Sequence, residues 1–192
     1  MLDVFPSHHM TALNTILLLL AAFLAVFWEA AFNGVRHLLG AQIDLLPALV
    51  VYASLAANLT TLTLLCVCGG LSFDALSANP LGVSVLPLFV AGLIIYSRRE
   101  LILRDQLFAQ FVLGLAASAA VPMLTVLLLL TMGKTPLLGW GSLWQWLVMS
   151  LGGAIATPIF FLVFGWCERV LGHAPVIETS FRADREIRRG RS

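Results

Sequence analysis

Long apolar stretches, separated by short polar breaks, run along most of the chain. A membrane-spanning α-helix needs about 20 mostly apolar residues, because the hydrocarbon core of a bilayer is about 30 Å thick. Judged by this length, the pattern predicts six helices. Their approximate ranges are 11–32, 43–58, 60–77, 81–96, 107–130 and 143–166.

The least certain boundary lies within residues 43–76, an apolar segment too long for one span and barely long enough for two. Asn58 and the threonines just after it are its only polar interruption, and we divide the segment there into two short helices. One tilted helix over the same residues is the alternative. It would move the N-terminus to the other side of the membrane.

The composition also indicates a membrane protein. Hydrophobic residues make up 60% of the chain and charged residues 11%, whereas soluble domains have about 25% charged residues. A chain with so few charged residues cannot cover a water-facing surface. We therefore expect an all-α integral membrane protein, with a compact bundle of six transmembrane helices over residues 1–172 and an Arg-rich tail over residues 173–192.

Basic residues are distributed unevenly between the two sides of this bundle. One side receives Arg36 and Lys134 alone, and the other receives the remaining nine, which are Arg98, Arg99, Arg104, Arg169, Arg182, Arg185, Arg188, Arg189 and Arg191. The positive-inside rule places the more basic side in the cytoplasm, so both termini are expected there. The tail either only fixes this orientation or also binds anionic lipid.

Three carboxylates lie within or beside the apolar stretches, namely Glu29, Asp44 and Asp74, and all three fall towards the outer side. Ionisable groups are costly in hydrocarbon and therefore mark candidate functional positions. We expect Glu29 and Asp44 to be hydrated at the interface or paired with Arg36 or Lys134.

Asp74 differs from the other two acids because apolar sequence flanks it on both sides. A short turn, Ser77 to Pro80, follows it and ends the third helix. We expect Asp74 to define this turn, with the amides of residues 77–79 as the groups that its carboxylate would cap.

No sequence motif for a nucleophile, a phosphate-binding loop or a zinc site occurs in the chain. The acids also cluster on one side, whereas a proton relay needs them through the membrane depth. Cys66, Cys68 and Cys167 are expected to pack as small apolar groups. We expect no enzymatic activity, no cofactor, no metal and no nucleic-acid partner.

Small residues at four-residue spacing mark two faces for close helix packing. Gly114 and Ser118 form one on the fifth helix, and Gly152 and Ala156 form the other on the sixth. These faces pack either against each other or against a helix of another protein. We take the second as a working hypothesis for partner binding.

Residues 43–52 and 68–82 resemble the MreD family of rod shape-determining proteins. The family's third helix carries a glycine, an embedded Asp four residues later, and a small polar turn that ends in Leu-Gly. The matching positions here are Gly70, Asp74, Ser77, Pro80, Leu81 and Gly82. The similarity spans most of the chain, although its specific part covers only about 15 residues; the doubled Gly69-Gly70 and the longer tail depart from the family pattern.

This resemblance implies a non-enzymatic scaffold in the inner membrane of a bacterium. MreD-like proteins pair with MreC and act with MreB, RodA and a class B penicillin-binding transpeptidase in the elongation (rod) complex, which directs side-wall peptidoglycan synthesis and maintains cell shape.

The MreD family is also similar in fold to the substrate-binding subunits of energy-coupling-factor vitamin transporters, and such a subunit is the alternative function. A vitamin site needs several convergent polar groups. The outer half of this chain offers few of them, namely Asp44, Asp74, Ser77, Asn79 and Gln145.

Overall fold

The computed structural model describes residues 7–31, 40–77, 80–102, 106–134 and 139–171, and the Arg-rich tail lies outside this part of the chain. Within these ranges every regular element is a helix and there is no strand, which confirms the all-α fold class. The helices are α1 (Ser7–Ala31), α2 (Leu46–Ala56), α3 (Leu59–Leu76), α4 (Val85–Ser97), α5 (Leu107–Thr131) and α6 (Trp140–Leu171), with a 3₁₀ turn over Arg99–Leu101.

Four of the six described helices (α1, α3, α5 and α6) are long and apolar enough to cross a membrane. Helices α2 and α4 have 11 and 13 residues, which corresponds to about 16 and 20 Å at 1.5 Å per residue. Both are shorter than the hydrocarbon core of about 30 Å. The sequence predicted six transmembrane helices; of the six described helices, four have the length of a full span, and α2 and α4 are shorter.

Proline explains why the two short helices begin later than their apolar sequence suggested. Pro47 is the second residue of α2 and Pro87 the third of α4. Proline fits the first turn of a helix but disrupts its interior. Residues 43–45 and 81–84, which the apolar pattern placed in helices, are not α-helical.

The chain breaks between α2 and α3, so that residues 43–76 contain two helices. Ala57 and Asn58 both have extended backbone conformations at this break. Thr61, one of the threonines that interrupt the apolar segment, shares a hydrogen bond of 2.8 Å with the hydroxyl of Thr15 in α1. The polar residues at the break therefore also join α3 to α1.

Helix α2 is the central helix of the bundle. Every residue from Leu46 to Leu55 is buried, and α2 contacts all five other helices. Tyr52 stacks on Phe164 of α6 at 4.6 Å between ring centroids and meets Phe161 edge-on at 4.9 Å. The core of the protein is thus built around a helix that does not itself cross a membrane.

Helices α5 and α6 form the most extensive helix pair, and small residues allow their close approach. A Cβ atom added to Gly114 would lie 2.8 Å from the carbonyl oxygen of Gly153, and one added to Gly153 would lie 2.5 Å from the Cβ of Ser118. Gly152 meets Ile43 of the segment before α2 in the same way, and Ala156 is buried.

The small-residue faces are therefore covered by the chain itself, and we do not retain Gly114, Ser118, Gly152 and Ala156 as a surface for a partner helix. The physical reason is that a short connection holds α5 and α6 together at high effective concentration. A separate chain has to compete with this intramolecular contact.

We expect Gly153→Ala to destabilise the protein by about 1–3 kcal/mol, the usual cost of overpacking, because the new methyl group would overlap Ser118. Gly165→Ala is the matched control, since it lies in the same helix with open space around it. Thermal unfolding in detergent measures both. Equal midpoints for the two variants would contradict the close α5–α6 contact.

Candidate functional site

The three buried or half-buried carboxylates lie at one end of the bundle, where α1 and α3 end and α2 and α4 begin. We call this the acidic end and define it by Glu29, Asp44 and Asp74. The opposite ends of α2 and α4 reach the exposed polar residues Asn58 and Arg98. In a bilayer, the starts of these short helices therefore lie within the hydrocarbon, where non-helical backbone must find its hydrogen bonds inside the protein.

Asp74 supplies such hydrogen bonds at the start of α4. Its side chain is 1% exposed, and its Oδ2 accepts hydrogen bonds from the backbone N–H groups of Gly82 (2.8 Å) and Ser84 (3.1 Å). Gly82 has φ of +90°, a conformation that favours glycine. One carboxylate thus joins the last turn of α3 to the first residues leading into α4.

The carboxylate of Asp74 reaches further along the chain than we expected from the sequence. Of the amides proposed for capping, that of Ser77 donates to the backbone carbonyls of Phe73 and Asp74, while Ala78 and Asn79 lie outside the described residues. The nearby turn is closed by the amide of Val83, which donates to the carbonyl of Pro80 at 3.3 Å.

The two adjacent glycines of α3 each face a different helix. A Cβ atom on Gly70 would lie 3.0 Å from the Cα of Val85 in the first turn of α4, and one on Gly69 would lie 3.0 Å from the side chain of Leu46 in α2. The doubled glycine therefore allows α3 to approach the starts of both short helices. Leu81 is 70% exposed and projects away from this contact.

Glu29 and Asp44 bind the backbone at the start of α2. Oε1 of Glu29 accepts the N–H of Leu45, and Oδ1 of Asp44 accepts the N–H of Leu46 at 2.9 Å. Among the described residues, the second oxygen of Glu29 is buried without a hydrogen-bond partner.

The interfacial pairing with bases that we expected for these two acids is replaced by backbone hydrogen bonds. Asp44 is 7% exposed, too buried for a hydrated interfacial side chain. Lys134 is exposed, and Arg36 lies outside the described residues. The acids therefore help to hold the non-helical segment in place before α2.

A pair of glutamine residues completes the anchoring of that segment. The backbone N–H of Gln42 donates to Oε1 of Gln145 at 3.0 Å, and Nε2 of Gln145 donates to the carbonyl of Gln42 at 2.9 Å. Sequence reasoning noted Gln145 as a polar group but missed its partner. The available signal was that an amide inside an apolar helix requires a hydrogen-bond partner in hydrocarbon.

These polar groups are arranged to bind backbone, since each carboxylate and amide described above already holds one or two main-chain groups. Within the described residues, no group of three His, Cys, Asp or Glu side chains could hold a metal ion. The chemistry that the acidic end supports best is therefore positioning of the short helices.

Three of the cavities bounded by described residues lie beside this framework. A small one of about 80 Å³ lies at the opposite end, near Asn14 and Asn58, and another of about 240 Å³ lies between the starts of α2 and α4, with Asp44 and Ser84 in its wall. A larger cleft of about 860 Å³ separates α5 from α6 at the acidic end. Its lining is mostly apolar.

No family model, curated protein or solved structure matches this chain. Its function therefore has to be inferred from its own residues and their geometry.

We expect Asp74→Leu to destabilise the protein much more than Asp74→Asn. Leucine leaves the amides of Gly82 and Ser84 without an acceptor, at about 1–3 kcal/mol for each buried group, whereas asparagine keeps a carbonyl oxygen. The midpoint of thermal unfolding in detergent measures the difference. Ala75→Leu, at the exposed neighbouring position, is the control, and a wild-type midpoint for Asp74→Leu would show that the carboxylate is dispensable.

Gln145→Met should also destabilise, because methionine has a similar length but leaves both backbone groups of Gln42 unpaired. The same cost per buried group gives an expected loss of about 2–6 kcal/mol, and the lower end applies because both hydrogen bonds are only partly buried. Leu147→Met, two residues along α6 and exposed, should leave the unfolding midpoint unchanged. Hydrogen exchange of the Gln42 amide provides a local measurement, and unaltered protection in Gln145→Met would count against this anchor.

Proposed function

We propose that this chain is a non-enzymatic scaffold subunit of the bacterial elongation (rod) complex, of the MreD type, that pairs with MreC in the inner membrane. One observation carries the proposal. Gly70, Asp74 and Gly82, which belong to the motif behind the MreD resemblance, all contribute to the connection between α3 and α4. Asp74 accepts the amide of Gly82, and Gly70 lets α3 approach Val85 in the first turn of α4, so these motif positions shape one connection, as a fold-defining family pattern requires.

The distribution of polar groups also supports a scaffold. The carboxylates and amides of the acidic end are engaged with the chain's own backbone. The remaining surface of the long helices is largely apolar, with exposed large residues such as Phe23, Leu127 and Leu162. Such a surface can contact lipid and the membrane helices of partner proteins, which in this proposal are MreC and RodA.

The alternative, a vitamin-binding subunit of an energy-coupling-factor transporter, has weaker support. The cleft of about 860 Å³ is within the range of small-molecule sites, which is about 300–1,000 Å³. Of its polar side chains, however, Gln145 is bound to Gln42, and the indole N–H of Trp146 donates to the carbonyl of Ala119. Few polar groups are left to orient a vitamin.

The proposal includes an orientation. Arg98 and Arg99 are exposed at the end of α4, and the positive-inside rule favours the cytoplasm for such basic residues. The acidic end then faces the outside, both termini are cytoplasmic, and MreB meets the complex from the basic side. A reporter inserted beside Arg98 that is active only in the periplasm would contradict this orientation.

Purification of the tagged full-length protein from native membranes distinguishes the two functions. We expect MreC to be recovered together with RodA and the class B transpeptidase, and mass spectrometry of the bound fraction to show no stoichiometric vitamin. Recovery of a pair of ATPases, or of one vitamin per chain, would replace the scaffold by the transporter subunit. A tagged unrelated six-helix membrane protein controls for nonspecific recovery.

A further inference from the structure

The cleft between α5 and α6 follows from a change in side-chain size along the helix pair. Towards the middle of the bundle, Gly114 and Gly153 hold the two helices in close contact. Towards the acidic end the cleft opens between larger residues, which are Pro122, Met123 and Val126 of α5 and Leu143, Trp146 and Met149 of α6. Gly139, Gly141 and Ser142 also line it, at the start of α6. Small side chains permit a short distance between helix axes and large ones prevent it.

The cleft faces the lipid, since its walls continue into the exposed flanks of two helices that are long and apolar enough to cross a membrane. Met123 is 69% exposed, Leu143 58% and Trp146 41%. Where these helices cross a membrane, such apolar flanks face hydrocarbon. An apolar cleft left empty there would lose dispersion contacts along its walls.

The polar side chains of the lining offer little to a polar occupant. The hydroxyl of Ser142, which also lines the cleft, accepts the N–H of Gly139 at 3.3 Å. A bound water needs two to four polar partners, and the polar groups of Gln145 and Trp146 are already hydrogen-bonded within the protein. Two methionines, Met123 and Met149, line the cleft, and their flexible thioether side chains adapt to irregular apolar shapes. We propose that the cleft is a binding site for one hydrocarbon chain of a membrane lipid.

The same geometry limits how far the bound lipid chain extends into the protein. The cleft shares Pro122, Val126 and Met149 with the cavity of about 240 Å³ between the starts of α2 and α4. A lipid chain can therefore extend from the cleft towards the core. Asp44 and Ser84 lie in the wall of this inner cavity, and a buried carboxylate is an unfavourable neighbour for hydrocarbon, so the path ends there.

Native mass spectrometry of the full-length protein in delipidating detergent tests the site directly. We expect wild type to retain one lipid per chain. Val126→Trp, which fills the cleft, should reduce that occupancy at least about tenfold, equivalent to about 1.4 kcal/mol of binding free energy. Leu147→Trp, on the exposed side of α6 and away from the cleft lining, is the control and should retain the lipid.

A phospholipid with brominated chains, which quench tryptophan fluorescence, provides a second measurement. It does not require a substitution that fills the cleft. In a variant with Trp146 as its single tryptophan, fluorescence should stay quenched after excess lipid is removed. A variant with Trp166 alone, which is exposed at the other end of α6, should recover its emission.

The proposal fails if wild type retains no lipid, if Val126→Trp and Leu147→Trp retain it equally, or if both single tryptophans recover alike. Retention of a partner's helix or a polar small molecule in the cleft would also overturn it. None of these outcomes depends on membership of the rod complex, so the lipid site and the scaffold function are tested separately.

Discussion

The architecture depends on one constraint, which is that backbone hydrogen-bonding groups inside a bilayer must be satisfied by the protein. Helix α2 is only 11 residues long and buried on all sides, so the segment leading into it cannot rely on water. Glu29, Asp44 and Gln145 supply its hydrogen bonds, and Asp74 does the same before α4. A short helix at the centre of this protein therefore requires these polar residues, although polar groups are costly to bury in a membrane.

In this arrangement, polar and apolar residues have different roles. The polar groups near the acidic end hydrogen-bond to the chain's own backbone. Gly114, Ser118 and Gly153 allow the close contact between α5 and α6. In the described part of the chain, the surfaces that remain for contacts with other molecules are mainly apolar helix faces and the cleft. A scaffold and a lipid site both use such surfaces, and neither needs a reactive group.

Hydropathy predicts the long helices well, because an apolar stretch of sufficient length has one stable arrangement in lipid. It overestimates the lengths of α2 and α4, because hydropathy does not record which backbone groups lack intrahelical partners. The prolines at 47 and 87 were the signal that these helices start late. The turn-defining role of Asp74 could be inferred from its apolar neighbours. The identity of its partner amides, and the contact between Gln42 and Gln145 across 103 positions of sequence, could not, because they depend on tertiary packing.

The enclosure of α2 also dictates an order of biogenesis. Its walls include α5 and α6, which are synthesised after it, and an 11-residue segment is too short to be an independent span. The first half of the chain is therefore incompletely covered until α5 and α6 have been synthesised. Chains cut short before α6 would leave the central helix unshielded and become targets for the proteases that remove orphaned membrane proteins.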